Sequence, residues 1–294
     1  MKPWIILITL GIAIAEPVRA APVAVDLELV LAVDVSRSVD AEEAALQRTG
    51  YVEAFRHPSV IDAISHGRLG RIAVVYLEWG AYGNTNLVID WTLIKDQASA
   101  ESFANLLRKS PRLVASRTSI SGAMAMSAAL LDSNNFNGKR RVIDISGDGA
   151  NNSGDLVDQA RDRTIAKGIT INGLPILNQR EGPFGRPQIA GLDLYYRDCV
   201  IGGPGAFHIV ARNFKDFSRA VLRKLILEIA GITPTPRLSR DHARSGRWHG
   251  LGSNPLLIRA AGKRSAPPCH IGEQRWRQRR GYGPGGWMPQ FPRQ

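Results

Sequence analysis

Oxygen-bearing side chains follow predicted strand ends in three separate segments of the chain. Asp34, Ser36 and Ser38 form a D-x-S-x-S pattern directly after an apolar run, and Asp148 stands between two glycines after a second run. Thr118 precedes a segment rich in small residues, which is typical of a closely packed helix. These side chains supply two carboxylates and three hydroxyls. Because hard oxygen ligands suit Mg²⁺, Mn²⁺ or Ca²⁺ better than zinc or copper, they predict a divalent-cation site, with Mg²⁺ as the first choice.

Each of these residues, taken alone, also fits a structural role. Asp, Ser and Thr are common N-caps at the turn between a strand and a helix. Three segments that all supply the right residue types favour metal binding over capping. Two carboxylates only just balance a divalent ion, and the hydroxyls add no charge. An open coordination position would therefore attract an acidic group, so we expect a protein or another acidic ligand that supplies a carboxylate to the metal.

An alternation of strands and helices must position these residues. Residues 27–33 form a nearly continuous apolar run, which is typical of a central strand buried on both faces. Further strands are predicted at 71–79, 86–94, 141–146 and 169–176, with a short one at 207–210, and helices at 40–56, 96–109, 119–131, 155–167 and 213–230. This order predicts an α/β fold, with a doubly wound, mostly parallel, Rossmann-like sheet and helices on both faces. In such sheets the ligand site lies at the carboxyl ends of the strands.

The set of Asp34, Ser36, Ser38, Thr118 and Asp148 resembles the metal-ion-dependent adhesion site (MIDAS) of von Willebrand factor type A (vWA) domains. The resemblance covers roughly residues 25–231. Residues 117–124 and 195–207 are similar, more narrowly, to a family of exported bacterial proteins known as DUF1194. The resemblance implies a vWA fold, one divalent cation held by these five residues, and a binding role of the adhesion or scaffold type. It implies no established activity.

Composition divides the chain into three parts. Lys2, an apolar stretch at 4–15 and small residues up to Ala20 predict a signal peptide over residues 1–20. We therefore expect an exported protein, either periplasmic or secreted. Residues 21–231 form the predicted vWA-like domain. Nothing in the sequence indicates an oligomeric state.

Residues 232–294 form a basic tail rich in Pro, Gly and Arg. This part carries a net charge of +10 out of the +12 of the whole chain. The isoelectric point of 10.2 therefore describes mostly the tail and does not predict a specific nucleic-acid binder. We expect this tail to be disordered, and its mixture of Arg and Trp suits contacts with anionic polymers or a membrane surface.

Other chemistries have weaker support in the sequence. No Gly-x-Ser-x-Gly nucleophile motif occurs, and no histidine has a partner at metal-ligand spacing. The alternative function is a metal-assisted hydrolase that uses the same carboxylates, but no general base stands beside the metal loops, so we predict no enzyme. Residues 151–153 are predicted to cap the helix that follows them. Cys199 and Cys269 either pair after export, or Cys199 is a buried apolar residue.

Overall fold

The structure is a computed structural model that describes residues 21–112, 115–177, 188–234 and 265–279. The predicted signal peptide and the tail residues 235–264 and 280–294 lie outside the described residues. In the described part the strands are β1 (Val23–Val25), β2 (Leu27–Asp34), β3 (Ile72–Trp79), β4 (Thr85–Ile94), β5 (Phe136–Gly138), β6 (Arg141–Gly147) and β7 (Thr170–Pro175). The α-helices there are α1 (Ala41–Arg56), α2 (Pro58–Ser65), α3 (Gln97–Lys109), α4 (Ile120–Asp132), α5 (Val157–Ile165), α6 (Leu192–Tyr195), α7 (Phe217–Ala230) and α8 (Ile271–Arg279).

The main sheet has the strand order β4-β3-β2-β6-β7. β3, β2, β6 and β7 are parallel, whereas the edge strand β4 runs antiparallel to β3. The sequence order reverses at β2, which pairs with β3 on one side and β6 on the other. This reversal is the position where ligand sites form in doubly wound sheets, and it places the ends of β2 and β6 side by side.

Both faces of the sheet are covered by helices. One core packs α1, α2, α3 and α7 against alternate residues of β2 such as Leu29 and Leu31. The other core packs α4, α5 and α6 against the intervening residues, such as Val30 and Ala32. All eight residues of β2 are buried, which explains the nearly continuous apolar run in its sequence. The mostly parallel sheet between two layers of helices confirms the predicted α/β fold.

Several elements were not predicted from the sequence. The short strands β1 and β5 pair with each other outside the main sheet, and α6 continues into a π-helical turn at Tyr196–Val200. The predicted strand at 207–210 is reduced to bridges that connect His208 and Ala211 to the edge strand β7 and the residue after it. No helix of the described residues is both long and apolar enough to cross a bilayer.

Candidate metal centre

The D-x-S-x-S segment turns at the carboxyl end of β2. Asp34 is the last residue of this strand and is fully buried. Its Oδ1 accepts a hydrogen bond of 2.8 Å from the Ser36 backbone N–H, so the carboxylate holds the turn that follows it. The chain then enters α1 through a capping box between Asp40 and Glu43. The first segment is thus fixed at both ends by its own hydrogen bonds.

Asp148 lies opposite this turn, directly after β6. Ser38 Oγ donates a hydrogen bond of 2.7 Å to Asp148 Oδ1, and Ser36 Oγ lies 2.9 Å from Ser38 Oγ. The strand pairing between β2 and β6 explains the meeting, because parallel strands end at the same edge. The structure therefore joins the first and third predicted segments through a row of hydroxyl groups.

Thr118 is attached to the Asp148 loop through a reciprocal pair of hydrogen bonds. Its backbone N–H donates to Asn152 Oδ1 at 3.1 Å, and the Asn152 N–H donates to the Thr118 carbonyl at 2.8 Å. Thr118 Oγ1 would lie only 3.4 Å from a Cβ placed on Gly149, so its hydroxyl faces the residue after Asp148. The preceding Arg117 has a φ of 68°, a left-handed conformation that is uncommon outside glycine. The three predicted segments thus meet at one edge of the sheet.

The two carboxylates of this centre are not paired with a cation of the described residues. Among the described residues no Lys or Arg forms an ion pair with Asp34 or Asp148, and Asp34 Oδ2 is buried there without a hydrogen-bond partner. Burial raises the pKa of Asp34 well above its ordinary value, and the charge of Asp148 raises it further. Burial also raises the pKa of Asp148 to about 6, against the hydrogen bond from Ser38. Both carboxylates would be stabilised in their charged form by a bound cation.

The donors fit a hard divalent cation. In the described residues no three His, Cys, Asp or Glu side chains are grouped to hold a metal, so a cation here depends on the hydroxyls as well as the two carboxylates. The buried and unpartnered Asp34 Oδ2 is the observation that best fits a cation held here. A Cβ on Gly147 would lie 2.9 Å from this oxygen and 2.9 Å from the Tyr196 hydroxyl, so only glycine leaves this space open. Tyr196 lies within residues 195–207, which carry the family resemblance, but the sequence predicted no role for it at this centre.

A C-terminal segment packs beside these loops, in contrast to the prediction of a disordered tail from residue 232. Over 265–279 the structure differs: Cys269 forms a disulfide with the buried Cys199, and α8 follows. The backbone of Gly272 approaches the Asn151 carbonyl so closely that a Cβ would lie 1.9 Å from its oxygen. The Trp276 ring lies 4.3 Å from the Arg117 guanidinium carbon. The sequence did not predict this packing because the segment has few apolar residues. A disulfide and single contacts hold it in place instead of a periodic apolar face.

Asn151 connects this segment to the centre. Its side-chain Nδ2 donates to Glu273 Oε1 at 2.6 Å, while its Oδ1 accepts from the Ser121 N–H at the start of α4. The prediction that residues 151–153 cap the following helix is wrong, since α5 begins after Leu156 without a side-chain cap. Asn151 and Asn152 instead hold the Thr118 segment. Only a contact across the fold reveals this role, so no local sequence signal identifies it.

Comparison with known families places the chain in one of them. The model of a family described as "Protein of unknown function (DUF1194)" matches residues 24–233. The chain therefore belongs to the DUF1194 family, as its motifs indicated. No curated protein matches the chain.

Solved structures share the fold at low sequence identity. The pilus adhesin SpaC from Lactobacillus rhamnosus GG is 14% identical with a TM-score of 0.50, over 72% of this chain and 31% of that chain. Proximal thread matrix protein 1 from the mussel byssus, with a zinc-occupied MIDAS motif, is 15% identical with a TM-score of 0.49, over 72% of this chain and 49% of that chain. A von Willebrand factor type A protein from Catenulispora acidiphila is 13% identical with a TM-score of 0.46, over 71% of this chain and 43% of that chain. The chain thus spans less than half of each of these proteins, and at these identities the likeness concerns the vWA fold alone.

Proposed function

We propose that this member of the DUF1194 family is an exported binding module that holds a divalent cation, most readily Mg²⁺, and uses it to bind a protein or another acidic ligand. Asp34, Ser36, Ser38, Thr118 and Asp148 would hold the cation, directly or through water. The observation that carries the proposal is the pair of buried carboxylates, Asp34 and Asp148, that no cation of the described chain neutralises. When bound, the cation would supply the positive charge that attracts a carboxylate of the partner.

The charge around the centre supports an acidic ligand. Arg37, in the middle of the D-x-S-x-S segment, and Arg117, beside Thr118, are both exposed. Arg277 on α8 is also exposed and belongs to the segment that packs against Arg117 through Trp276. Exposed guanidinium groups on segments beside the centre would favour the approach of anionic groups, because such a field raises their local concentration.

Export is supported by the disulfide as well as by the predicted signal peptide. Cys199 and Cys269 are paired in the structure, and structural disulfides of this kind belong to oxidising compartments outside the cytoplasm. The pairing also keeps α8 beside the candidate centre. We therefore include the segment 265–279 in the proposed binding face.

The alternative, a metal-assisted hydrolase, needs a general base that is available for water, and the described residues near the centre offer none. The best candidate for such a base is Glu43, whose charge contributes to the raised pKa of Asp148. However, Glu43 Oε2 accepts the Asp40 N–H at 3.0 Å in the capping box of α1. A base must reach the proton that it removes, and this one is committed to the helix start. The arrangement therefore favours binding over turnover.

Titration calorimetry with Mg²⁺ and Mn²⁺ on the exported chain tests the metal assignment. We expect binding by the unmodified chain and loss of at least about tenfold in affinity in Asp34→Asn, because the substitution removes one of two charges at the metal. Asp90→Asn serves as a matched control, since Asp90 is exposed on β4, away from the centre. Equal metal affinities of the two variants would refute the assignment.

Ligand capture then tests the binding role. Immobilised chain is exposed to envelope extract with and without a chelator, and Asp34→Asn and Asp90→Asn are run in parallel. We expect the same proteins to be retained by the unmodified chain and by Asp90→Asn, and to be lost with chelator and with Asp34→Asn. Retention that survives both changes would show that the partner does not use the metal.

A further inference from the structure

A second group of charged side chains lies deep in the core between β6 and α7. Asp144 is in the middle of β6, and Lys224 and Glu228 are one turn apart on α7. Their exposed fractions are 1%, 0% and 2%. Lys224 Nζ lies 2.6 Å from Asp144 Oδ1 and also forms an ion pair with Glu228 Oε1. A nucleophilic amine and two carboxyl groups are therefore in contact in a site without solvent.

The two carboxyl groups of this cluster are harder to ionise than exposed ones. Burial raises the pKa of Glu228 to about 7, and the charge of Asp144 adds to the shift. Burial also raises the pKa of Asp144, against the stabilising effects of Lys224 and of a hydrogen bond with Glu228. Two carboxylates and one ammonium would carry a net negative charge in the core, which is costly when no further cation is present. The uncharged forms of Asp144 and Glu228 are therefore favoured over their carboxylates.

The neighbours orient the three groups for a reaction. Asn172 Nδ2 donates to Glu228 Oε1 at 2.8 Å, while Asn172 Oδ1 accepts the Phe207 N–H at 2.9 Å, so this carboxylate is fixed in place. Lys224 Nζ lies over the Phe207 ring, 5.5 Å from its centre. Lys224 Nζ lies 2.6 Å from Asp144 Oδ1, and Glu228 is a second partner of the Asp144 carboxyl group. The amine therefore lies next to the carboxyl group that it would attack.

We propose that Lys224 and Asp144 join in an intramolecular amide bond, with Glu228 as the catalytic residue that transfers the proton. Nζ, once it has given a proton to the Asp144 carboxylate, attacks Asp144 Cγ of the resulting acid, and a C–N bond forms. Glu228 takes the second proton from the nitrogen and delivers it to the departing hydroxyl of Asp144. The C–O bond breaks and one water leaves, so no oxidant, reductant or external group is needed.

Burial and proximity drive this condensation. Amide formation between free amines and acids is opposed by bulk water, but groups held in contact react as if at an effective concentration of about 10⁵–10⁸ M. The product replaces an ammonium and a carboxylate by a neutral amide, which removes two charges from the core. Glu228 remains beside the amide as its hydrogen-bond partner. The bond would fix α7 covalently to the central sheet.

Mass spectrometry of the exported, denatured full chain tests the proposal directly. We expect the mass to be lower than that of the disulfide-bonded sequence by one water, about 18 Da, as the condensation of an amine with a carboxylic acid requires. A tryptic digest should contain one branched peptide that joins the Asp144 segment to the Lys224 segment. An unmodified mass, or a lost water located elsewhere, would overturn the proposal and leave a buried ion cluster.

Two variants separate the reaction from folding. Glu228→Gln keeps the shape of the side chain but removes the proton carrier, so we expect the bond to form about 10²- to 10⁴-fold more slowly in freshly folded chain. Lys224→Arg keeps the positive charge but offers no comparable nucleophile, and its mass should stay unmodified. Lys215→Arg is the matched control, because Lys215 is exposed just before α7, and it should lose the water as the unmodified chain does. A water loss that persists in Lys224→Arg would contradict the assignment even if the other variants failed to fold.

Discussion

Asp144 lies in β6 and Asp148 lies four positions later, yet the groups that face the two carboxylates differ in charge. The inner residue, Asp144, faces Lys224, and the chain itself supplies the cation. The outer residue, Asp148, faces Asp34 and hydroxyl groups, and no Lys or Arg of the described residues pairs with either carboxylate. A buried carboxylate without a partner destabilises the fold. A cation from outside the chain would therefore stabilise Asp34 and Asp148. Under the proposed function, the inner group serves the fold and the outer group serves a ligand.

The largest expected effect comes from removing the inner cation. Lys224→Met leaves Asp144 and Glu228 buried without a positive charge and also removes the amine of the proposed amide. We expect a loss of about 3–5 kcal/mol in the free energy of unfolding, or failure to fold, measured by denaturant titration. Lys215→Met, at an exposed position, should change the same quantity by less than about 0.5 kcal/mol. Similar losses in both variants would mean that Lys224 contributes no more to the free energy of unfolding than an exposed lysine.

The disulfide gives the next largest effect, and it acts on the outer region. Cys199 and Cys269 are 70 residues apart in sequence, so their link strongly restricts the unfolded chain. Cys269→Ser should cost about 4 kcal/mol in stability by the loop-entropy estimate. It should also weaken metal binding, because α8 would no longer hold the Asn151 loop. Metal affinity that is unchanged in the variant would show that α8 is not part of the centre.

Removing the charge of an outer carboxylate should change stability in the opposite direction to removing the inner cation. Asp34 has a raised pKa, so its charged form opposes folding at neutral pH when no metal is bound. Asp34→Asn keeps the Oδ1 that accepts the Ser36 N–H but removes the charge. We expect the variant to be more stable in chelator, on the order of 1 kcal/mol, and to gain nothing from added Mg²⁺. Lower stability of Asp34→Asn than of the unmodified chain in chelator would contradict the view that this centre binds an external cation.

The pH dependence of metal binding sharpens the same point. The folded-state pKa of Asp148 is about 6, above its ordinary value, so its contribution to metal-free stability is present in acid and is lost as pH rises through about 6. Metal requires the carboxylate form and competes with this proton. The increase in Tm caused by Mg²⁺ should therefore be large at about pH 7.5 and small at about pH 5. Thermal melts at both pH values, with Asp34→Asn as the control that shows no increase, decide this.

The sequence predicted the parts of the centre that obey local rules. Asp34 could be placed at a strand end because the apolar run before it marks a buried strand, and parallel strands align their ends. The role of Asn151 could not be predicted, because its partners Ser121 and Glu273 lie 30 and 122 positions away in sequence. The packing of 265–279 was likewise hidden, since α8 has no apolar stripe and depends on Cys269. Contacts without periodicity are visible only in the folded chain.

The smallest expected effect lies at the contact between α8 and the Thr118 segment. The Trp276 ring lies 4.3 Å from the guanidinium carbon of Arg117, whose Nη2 also donates to the Asn152 carbonyl at 3.0 Å. A cation–π contact at a partly exposed site contributes about 0.5–1 kcal/mol, more for Trp than for Phe. Trp276→Leu should therefore lower stability by about that amount, while Trp276→Phe, which keeps a ring, should lower it less. Because Asn152 holds Thr118 as well as Arg117, Trp276→Leu should also weaken Mg²⁺ binding slightly, by less than the loss in Asp34→Asn. Calorimetry on the three variants orders these effects, and a Trp276→Leu chain with stronger metal binding would show that α8 hinders the centre instead of supporting it.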